Sequence, residues 1–338
     1  MTQAATAFAP SREASAAPLV DVKDLTVEFR TGRSSAIRAV NGVNLKLERG
    51  EVLALLGESG SGKSVTLRAL IRLNPENKTK VGGQIHVGGI DVSTLAPRAL
   101  QDFRGSVASM IFQDPGLAFD PVYRVGDQII ETVMRHKGVS RAAARKRALD
   151  LFEQVRIPSP ERRLDAYPHE LSGGMRQRAM IALALSCDPE VLLADEPTTA
   201  LDATVQIQIL LILRELQRDL GLTVIFVTHD IGVAVQVADR IAVMYAGRIV
   251  ETGSVQEVIA NARHPYTLGL LSTRAHGGRL SGRRLPTIPG NPPDLANLPP
   301  GCPFAPRCNL AEGRCYEIDP GPTQLGPEHY ARCLKVTA

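Results

Sequence analysis

The stretch Leu53-Ala-Leu-Leu-Gly57-Glu-Ser-Gly-Ser-Gly62-Lys63-Ser64 decides the fold. An apolar run ends in a glycine-rich turn, and Val65-Thr-Leu-Arg-Ala-Leu-Ile71 follows at once with helix-compatible residues. Strand, loop and helix in that order, with the spacing G-x-x-x-x-G-K-S, is a phosphate-binding P-loop. The residue types follow from the task. Glycines let backbone N–H groups of residues 57–65 (Gly57, Glu58, Ser59, Gly60, Ser61, Gly62, Lys63, Ser64, Val65) turn around an anion, and the helix start adds partial positive charge. Lys63 can reach the β- and γ-phosphates, and the Ser64 hydroxyl can hold Mg²⁺. A nucleoside triphosphate is the expected ligand.

Outward from that stretch, the 338 residues suffice for one large or two modest domains, with 22% charged and 44% hydrophobic residues as in ordinary globular chains. The net charge of +4 is too small to argue for nucleic acid. The longest apolar runs, Val52–Leu56 and Val191–Ala194, fall far short of the ~18 residues that cross a bilayer. Residues 1–18, rich in Ala, Ser and Thr without a basic start and apolar stretch, read as a disordered leader and not as a signal peptide. A cytosolic chain is expected, with any membrane role exercised through a partner.

Leu19–Phe29 and Ala39–Leu47 alternate as strands, which suggests a small antiparallel layer on the nucleotide core. Phe29 offers a face on which adenine can stack, and equally fits a plain core position. Gly82–Asp91 reads as a short hairpin, and Val107–Phe112 as an apolar strand that ends on Gln113. Between about Val122 and Ser186 the period turns helical (Arg141–Leu151, Met175–Leu185), and Leu171-Ser172-Gly173-Gly174-Met175 gives one of these helices a serine cap with bare N–H groups, a second ready anion site. Val191–Ala194 delivers Asp195 and Glu196 to a strand end, the first fit to position Mg²⁺ and the second to act as general base. Thr223–Thr228 delivers His229 to the same edge, where it can sense a γ-phosphate.

These residues together resemble an ATP-binding subunit of an ABC transporter. Walker A lies at 57–64, Gln113 matches the Q-loop, Leu171–Arg178 the signature, Asp195 and Glu196 the Walker B end, Ala200-Leu201-Asp202 the D-loop and His229 the H-loop. The resemblance implies an α/β fold: a RecA-like P-loop NTPase core with an antiparallel β layer and a helical subdomain at about 114–186, together forming an ATPase domain over 19–272. It implies ATP and Mg²⁺, with Ser64, Gln113 and Asp195 on the metal and Glu196, His229 and Gln113 as the catalytic set. It also implies head-to-tail pairing, in which Ser172, Gly173, Gly174 and Asp202 serve the partner's nucleotide. Phe29 matches the adenine-stacking position, held by Tyr or Trp in many relatives. DNA-acting relatives carry long coiled-coil or zinc-module insertions between Walker A and the signature, and no long heptad run lies between Ser64 and Leu171. No nucleic-acid partner is expected.

From Arg279 the composition shifts, with 11 of the 23 prolines between Pro286 and Pro327. Four of the five cysteines, Cys302, Cys308, Cys315 and Cys333, follow the spacing C-x5-C-x6-C-x17-C. Disulfides do not suit a cytosolic chain. Zinc on four thiolates and an iron–sulfur cluster both remain open on chemistry alone. Cys187, beside the Walker B strand, reads as a small buried apolar residue. Residues 273–338, with Ile288–Pro293 and Gly301–Cys308, resemble the C-terminal extension of oligopeptide/dipeptide permease ATPases, and His264–Leu270 leads into it as in that family. That resemblance implies a [4Fe–4S] cluster on the four cysteines, with Zn²⁺ as the alternative. The signature LSGGMRQR is similar to that of the first of the two ATPases in such importers, which implies a heterodimer with a second ATPase. Two transmembrane permease subunits and an extracytoplasmic solute-binding protein would complete an importer at the cytoplasmic face of a bacterial inner membrane. Di- or oligopeptides are the expected cargo; nickel or a glycoside is the alternative, since specificity resides in the other subunits.

Overall fold

A computed structural model describes residues 17–30, 36–199, 201–275 and 288–337. The expected leader lies almost wholly outside these residues, as do Ala200 of the D-loop and the start of the proline-rich tail. The chain opens with β1 (Val20–Arg30) and β2 (Ala36–Leu47), then β3 (Val52–Leu56), α1 (Lys63–Leu70), β4 (Thr79–Val87) and β5 (Ile90–Asp91). Next come α2 (Pro97–Ser106), β6 (Ala108–Ile111), α3 (Val125–Lys137), α4 (Arg141–Gln154), α5 (Pro160–Leu164) and α6 (Gly173–Leu185). β7 (Val191–Asp195), α7 (Ala203–Leu220), β8 (Thr223–Thr228), α8 (Ile231–Val237), β9 (Arg240–Tyr245) and β10 (Arg248–Ser254) complete the core. α9 (Val255–Ala260), α10 (Pro265–Ala275), α11 (Gly313–Glu317), β11 (Thr323–Gln324) and β12 (Tyr330–Ala331) end the chain.

Two sheets carry the architecture. The first, in the order β2-β1-β4-β5, is the antiparallel layer expected from the alternating N-terminal strands. The expected hairpin is present as β4–β5, but β4 also pairs along β1, a long-range partnership that local alternation cannot announce. The second sheet runs β11-β12-β10-β9-β3-β8-β7-β6. Its five strands β9, β3, β8, β7 and β6 are parallel. Three of them, β3, β7 and β8, are buried at every position, as a sheet covered on both faces requires. One apolar core fills the space between the two sheets, with Leu25, Leu47, Leu55 and Leu67 fully buried in it. A second joins the other face of the parallel sheet to α3, α4, α6 and α7.

The C-terminal segment is stitched into this body. β12 pairs with β10 at Glu251↔Ala331 and Thr252↔Tyr330, so the tail lengthens the nucleotide sheet. Glu251, 1% exposed, accepts from the N–H groups of Arg263 and His264 at 2.7 and 2.9 Å and shares a 2.9 Å contact with His329 Nε2. A third core of Tyr245, Tyr266 and Phe304 welds α10 and the tail to β9.

Candidate functional site

The site is assembled at the C-terminal ends of four neighbouring parallel strands, β3, β8, β7 and β6, where open α/β sheets leave a crevice for ligands. β3 feeds the glycine turn and α1. Gly62, at φ +105, is in the left-handed region, and a Cβ there would lie 2.5 Å from the Ala39 carbonyl, so only glycine allows this approach. Lys63 is buried, and its ammonium donates to the carbonyls of Gly57 at 2.7 Å and Glu58 at 2.9 Å. Burial lowers its pKa, opposed by the carboxylates of Glu196, Asp195 and Glu58. Ser64 Oγ donates to Asp195 Oδ1 at 2.7 Å, joining the end of β7 to the start of α1. Burial raises the Asp195 pKa, with the Ser64 hydrogen bond opposing it. A hydroxyl and a carboxylate are hard oxygen donors, and this pair fits Mg²⁺ held together with phosphate oxygens.

Glu196 follows with a positive φ of 46, and its carboxylate collects the other polar groups of the edge. Its Oε2 accepts from Thr199 Oγ1 at 2.9 Å and Gln113 Nε2 at 3.3 Å, and His229 Nδ1 lies 3.4 Å away. Glu196 is thus held by groups from the ends of β6 and β8. A cleft of about 720 Å³ is lined by Gly57, Glu58, Ser59, Gly60, Gly62, Lys63, Ser64, Val65, Gln113, Glu196 and His229. Most residues singled out in the sequence for one nucleotide therefore meet on one cavity.

Others do not. Phe29 is half-buried on β1, packs against the core between the sheets, and lines no part of the cleft; Ala39 does. Ser172, Gly173, Gly174 and Asp202 are also absent from the cleft wall. They form a second unit. The Ser172 hydroxyl accepts from the Met175 N–H at 3.3 Å and caps α6, while Asp202 accepts from Thr204 and Val205 at 3.1 and 3.0 Å and caps α7. A Cβ on Gly174 would lie 2.9 Å from Val205, so the two helix starts touch, whereas the position above Gly173 is open.

The four C-terminal cysteines are free thiols that line one small cavity with His264, Phe304 and Lys335. Burial pushes Cys302 up to about 11, and burial likewise raises Cys308, each reinforced by neighbouring cysteines. Among the described residues, however, no group of three or more His, Cys, Asp or Glu side chains is placed to hold a metal ion. Cys187 is buried, as its setting beside β7 suggested. Sequence reasoning missed Arg307, Tyr266 and Leu295, which reach the glycine turn or its cleft from the C-terminal segment. Nothing local marks them.

A glycine cradle at the end of a parallel strand, an acid pair on the adjacent strand, a Gln and a His converging on the second acid, and a serine-capped helix set apart define an ATP-binding cassette. The comparisons carry this further. The chain matches the ABC transporter family over residues 40–199 and the oligopeptide/dipeptide transporter C-terminal region over 250–315. It is 47% identical over 315 residues to the oligopeptide transport ATP-binding protein OppD of Bacillus subtilis strain 168, covering 93% of this chain and 88% of the relative. A putative peptide import ATP-binding protein of Brucella melitensis biotype 1 is 47% identical over 332 residues, 94% of this chain and 97% of that one. Among solved structures, a dimeric post-hydrolysis state of the ATP-binding cassette MJ0796 bound to ADP and Pi superposes with a TM-score of 0.63 at 30% identity, covering 70% of this chain and 98% of that one. A cbiO1 from Clostridium perfringens, part of the cbiONQ transporter complex, gives 0.62 at 29% identity over 73% and 92%. The chain belongs to the ATP-binding subunits of ABC transporters, in the family that carries the oligopeptide/dipeptide C-terminal region. No helix among the described residues is long and apolar enough to cross a membrane.

Proposed function

We propose that this chain is an ATP-hydrolysing motor subunit of a peptide importer, and that each ATP is closed between its glycine turn and the signature helix of a second ATPase subunit. The observation that carries this reading is the split between the two anion-binding units: Lys63, Ser64, Glu196, Gln113 and His229 line one cleft, with the buried Asp195 bonded to Ser64, while the Ser172–Gly174 helix start stands outside it. A helix start with bare N–H groups that serves no ligand of its own chain is suited to the phosphates of another.

In this reading Lys63 and the turn N–H groups bind the phosphates, and Ser64, Asp195 and Gln113 hold Mg²⁺, which offsets phosphate charge when bound. Glu196 takes a proton from the attacking water as it adds to the γ-phosphorus and the bond to the β-phosphate oxygen breaks, giving ADP and phosphate. Gln113 and His229, both on Glu196 Oε2, aim that carboxylate and report whether the γ-phosphate is present. Phe29 is assigned to the base, on the β1 layer outside the phosphate cleft. Leu117, Val122 and Tyr123, 82, 68 and 59% exposed just beyond Gln113, support docking of a membrane permease subunit there. In this reading the chain works on the cytoplasmic face of the membrane, with two permease subunits and a solute-binding protein completing the importer. Peptide cargo rests on the relatives' names and the shared C-terminal region.

The four-cysteine cavity carries a second assignment. Four thiols lining one small cavity support a shared ligand set, and four thiolates are the ligands that an iron–sulfur cluster takes. Cys302, Cys308, Cys315 and Cys333 would ligate a [4Fe–4S] cluster as thiolates, losing their protons on loading. Anaerobically purified protein should be brown and contain iron; stoichiometric zinc without iron would reject the cluster. The motor reading is tested by Glu196→Gln in the assembled pair: ATP should bind and hold the dimer closed with turnover stalled. Unimpaired hydrolysis in that variant would remove Glu196 from its role.

A further inference from the structure

Glu58, an acidic residue, is part of the wall of a cleft meant for phosphates. Left alone it would repel the ligand. It is instead held by Arg307, 249 residues away, through both oxygens: Nη1 donates to Oε2 at 2.6 Å and Nη2 to Oε1 at 3.0 Å. Two parallel bonds from a planar guanidinium fix orientation as well as charge.

Arg307 is itself built in. It is 8% exposed, its Nε donates to the Pro289 carbonyl at 2.8 Å, and its guanidinium lies 5.8 Å from the centre of the Tyr245 ring. Gly290, in the left-handed region at φ +74, lets the chain pass against the Arg307 stem. Hydrogen bonding to Glu58 raises the Arg307 pKa further above the usual guanidinium range. The same turn residue is gripped twice more: the Glu58 N–H donates to Tyr266 Oη at 2.8 Å, and its carbonyl accepts from Lys63. Tyr266 belongs to α10 and packs on Phe304, three residues before Arg307. The C-terminal segment thus holds the second residue of the glycine turn by side chain and backbone at once.

We infer that Arg307 is a positioning residue for the nucleotide: it neutralises Glu58 and draws it off the phosphate cradle, which makes the C-terminal segment a working part of the P-loop. This rests on the ATP-binding reading above. The test measures MgATP affinity of the full-length chain by calorimetry in four variants, with melting temperatures alongside. Arg307→Ala should weaken MgATP binding roughly tenfold by leaving a carboxylate beside the phosphates. Arg307→Lys keeps the charge without the fork and should fall between the two, and it serves if the alanine variant does not fold. Arg307→Ala combined with Glu58→Gln should regain most of the lost affinity, a rescue that a merely structural role would not give. Lys63→Ala separates the two layers of argument. If it binds MgATP like the unaltered chain, the ATP site itself is wrong. If it loses affinity while both Arg307 variants stay within twofold of the unaltered chain, or if the double variant is no better than Arg307→Ala, the inference about Arg307 is overturned.

Discussion

The two helix starts that this chain offers to an anion are built differently. At α1 the cradle is furnished from within: Lys63 is buried and tied to two turn carbonyls, Ser64 is bonded to Asp195, and Glu58 is clamped from the C-terminal segment. At α6 there is a serine cap, an open Gly173 and contact with the start of α7, which Asp202 caps. The lysine, the Ser64–Asp195 pair and Glu196 belong to the first site, and the second offers a capped helix start. A single chain therefore carries a full site's worth of parts in an arrangement that its own cleft does not combine, and a second subunit is what would combine them.

The contrast can be broken by mutation. Glu196→Gln should lower turnover about 10²- to 10⁴-fold with ATP binding kept, because only the first site has a base to lose. Ser172→Arg should leave ATP affinity of the isolated chain within about twofold while lowering hydrolysis in the assembled pair roughly 100-fold, as expected when donors to developing charge are removed. Loss of affinity in the isolated chain would merge the two sites into one. Lys63→Ala should weaken nucleotide binding of the isolated chain roughly 10- to 100-fold, the range of a charge-assisted contact. Calorimetry on the isolated chain and phosphate release from the assembled pair check these three.

A smaller effect sharpens the role of the C-terminal junction. His264, 1% exposed, precedes α10, where its Nδ1 accepts from the Tyr266 N–H at 3.1 Å. Burial lowers its pKa to about 3. The folded protein then binds fewer protons at this group than the unfolded chain, so stability is full above the unfolded value near 6.5 and falls as pH drops towards 3. From pH 6.5 to 5 the loss is about 2 kcal/mol. His264→Asn keeps a capping acceptor without the titration, and urea unfolding at several pH values should show that part of the slope gone.

How legible all this was depends on contiguity. The P-loop, the acid pair and His229 could be read because β3, β7 and β8 are unbroken apolar runs that end directly on the functional residue. The serine cap of α6 was legible for the same local reason. β12 was not, because its two residues become a strand through pairing with β10, some eighty residues earlier, and with β11. Nor was Arg307, which sits between two cysteines and reads as part of their module, although its side chain serves Glu58. Phe29 was legible as a strand residue, and it packs half-buried against the core, away from the phosphate cleft.

The central claim is that a nucleotide on one chain's glycine turn meets the other chain's serine-capped helix. A photoreactive ATP carrying its label on the γ-phosphate tests this directly in the pair formed with the second ATPase. The account predicts that labelling of this chain's Ser172–Gly174 peptide survives Lys63→Ala and disappears when the P-loop lysine of the second subunit is removed. Labelling that is lost with Lys63 and indifferent to the second subunit would contradict it.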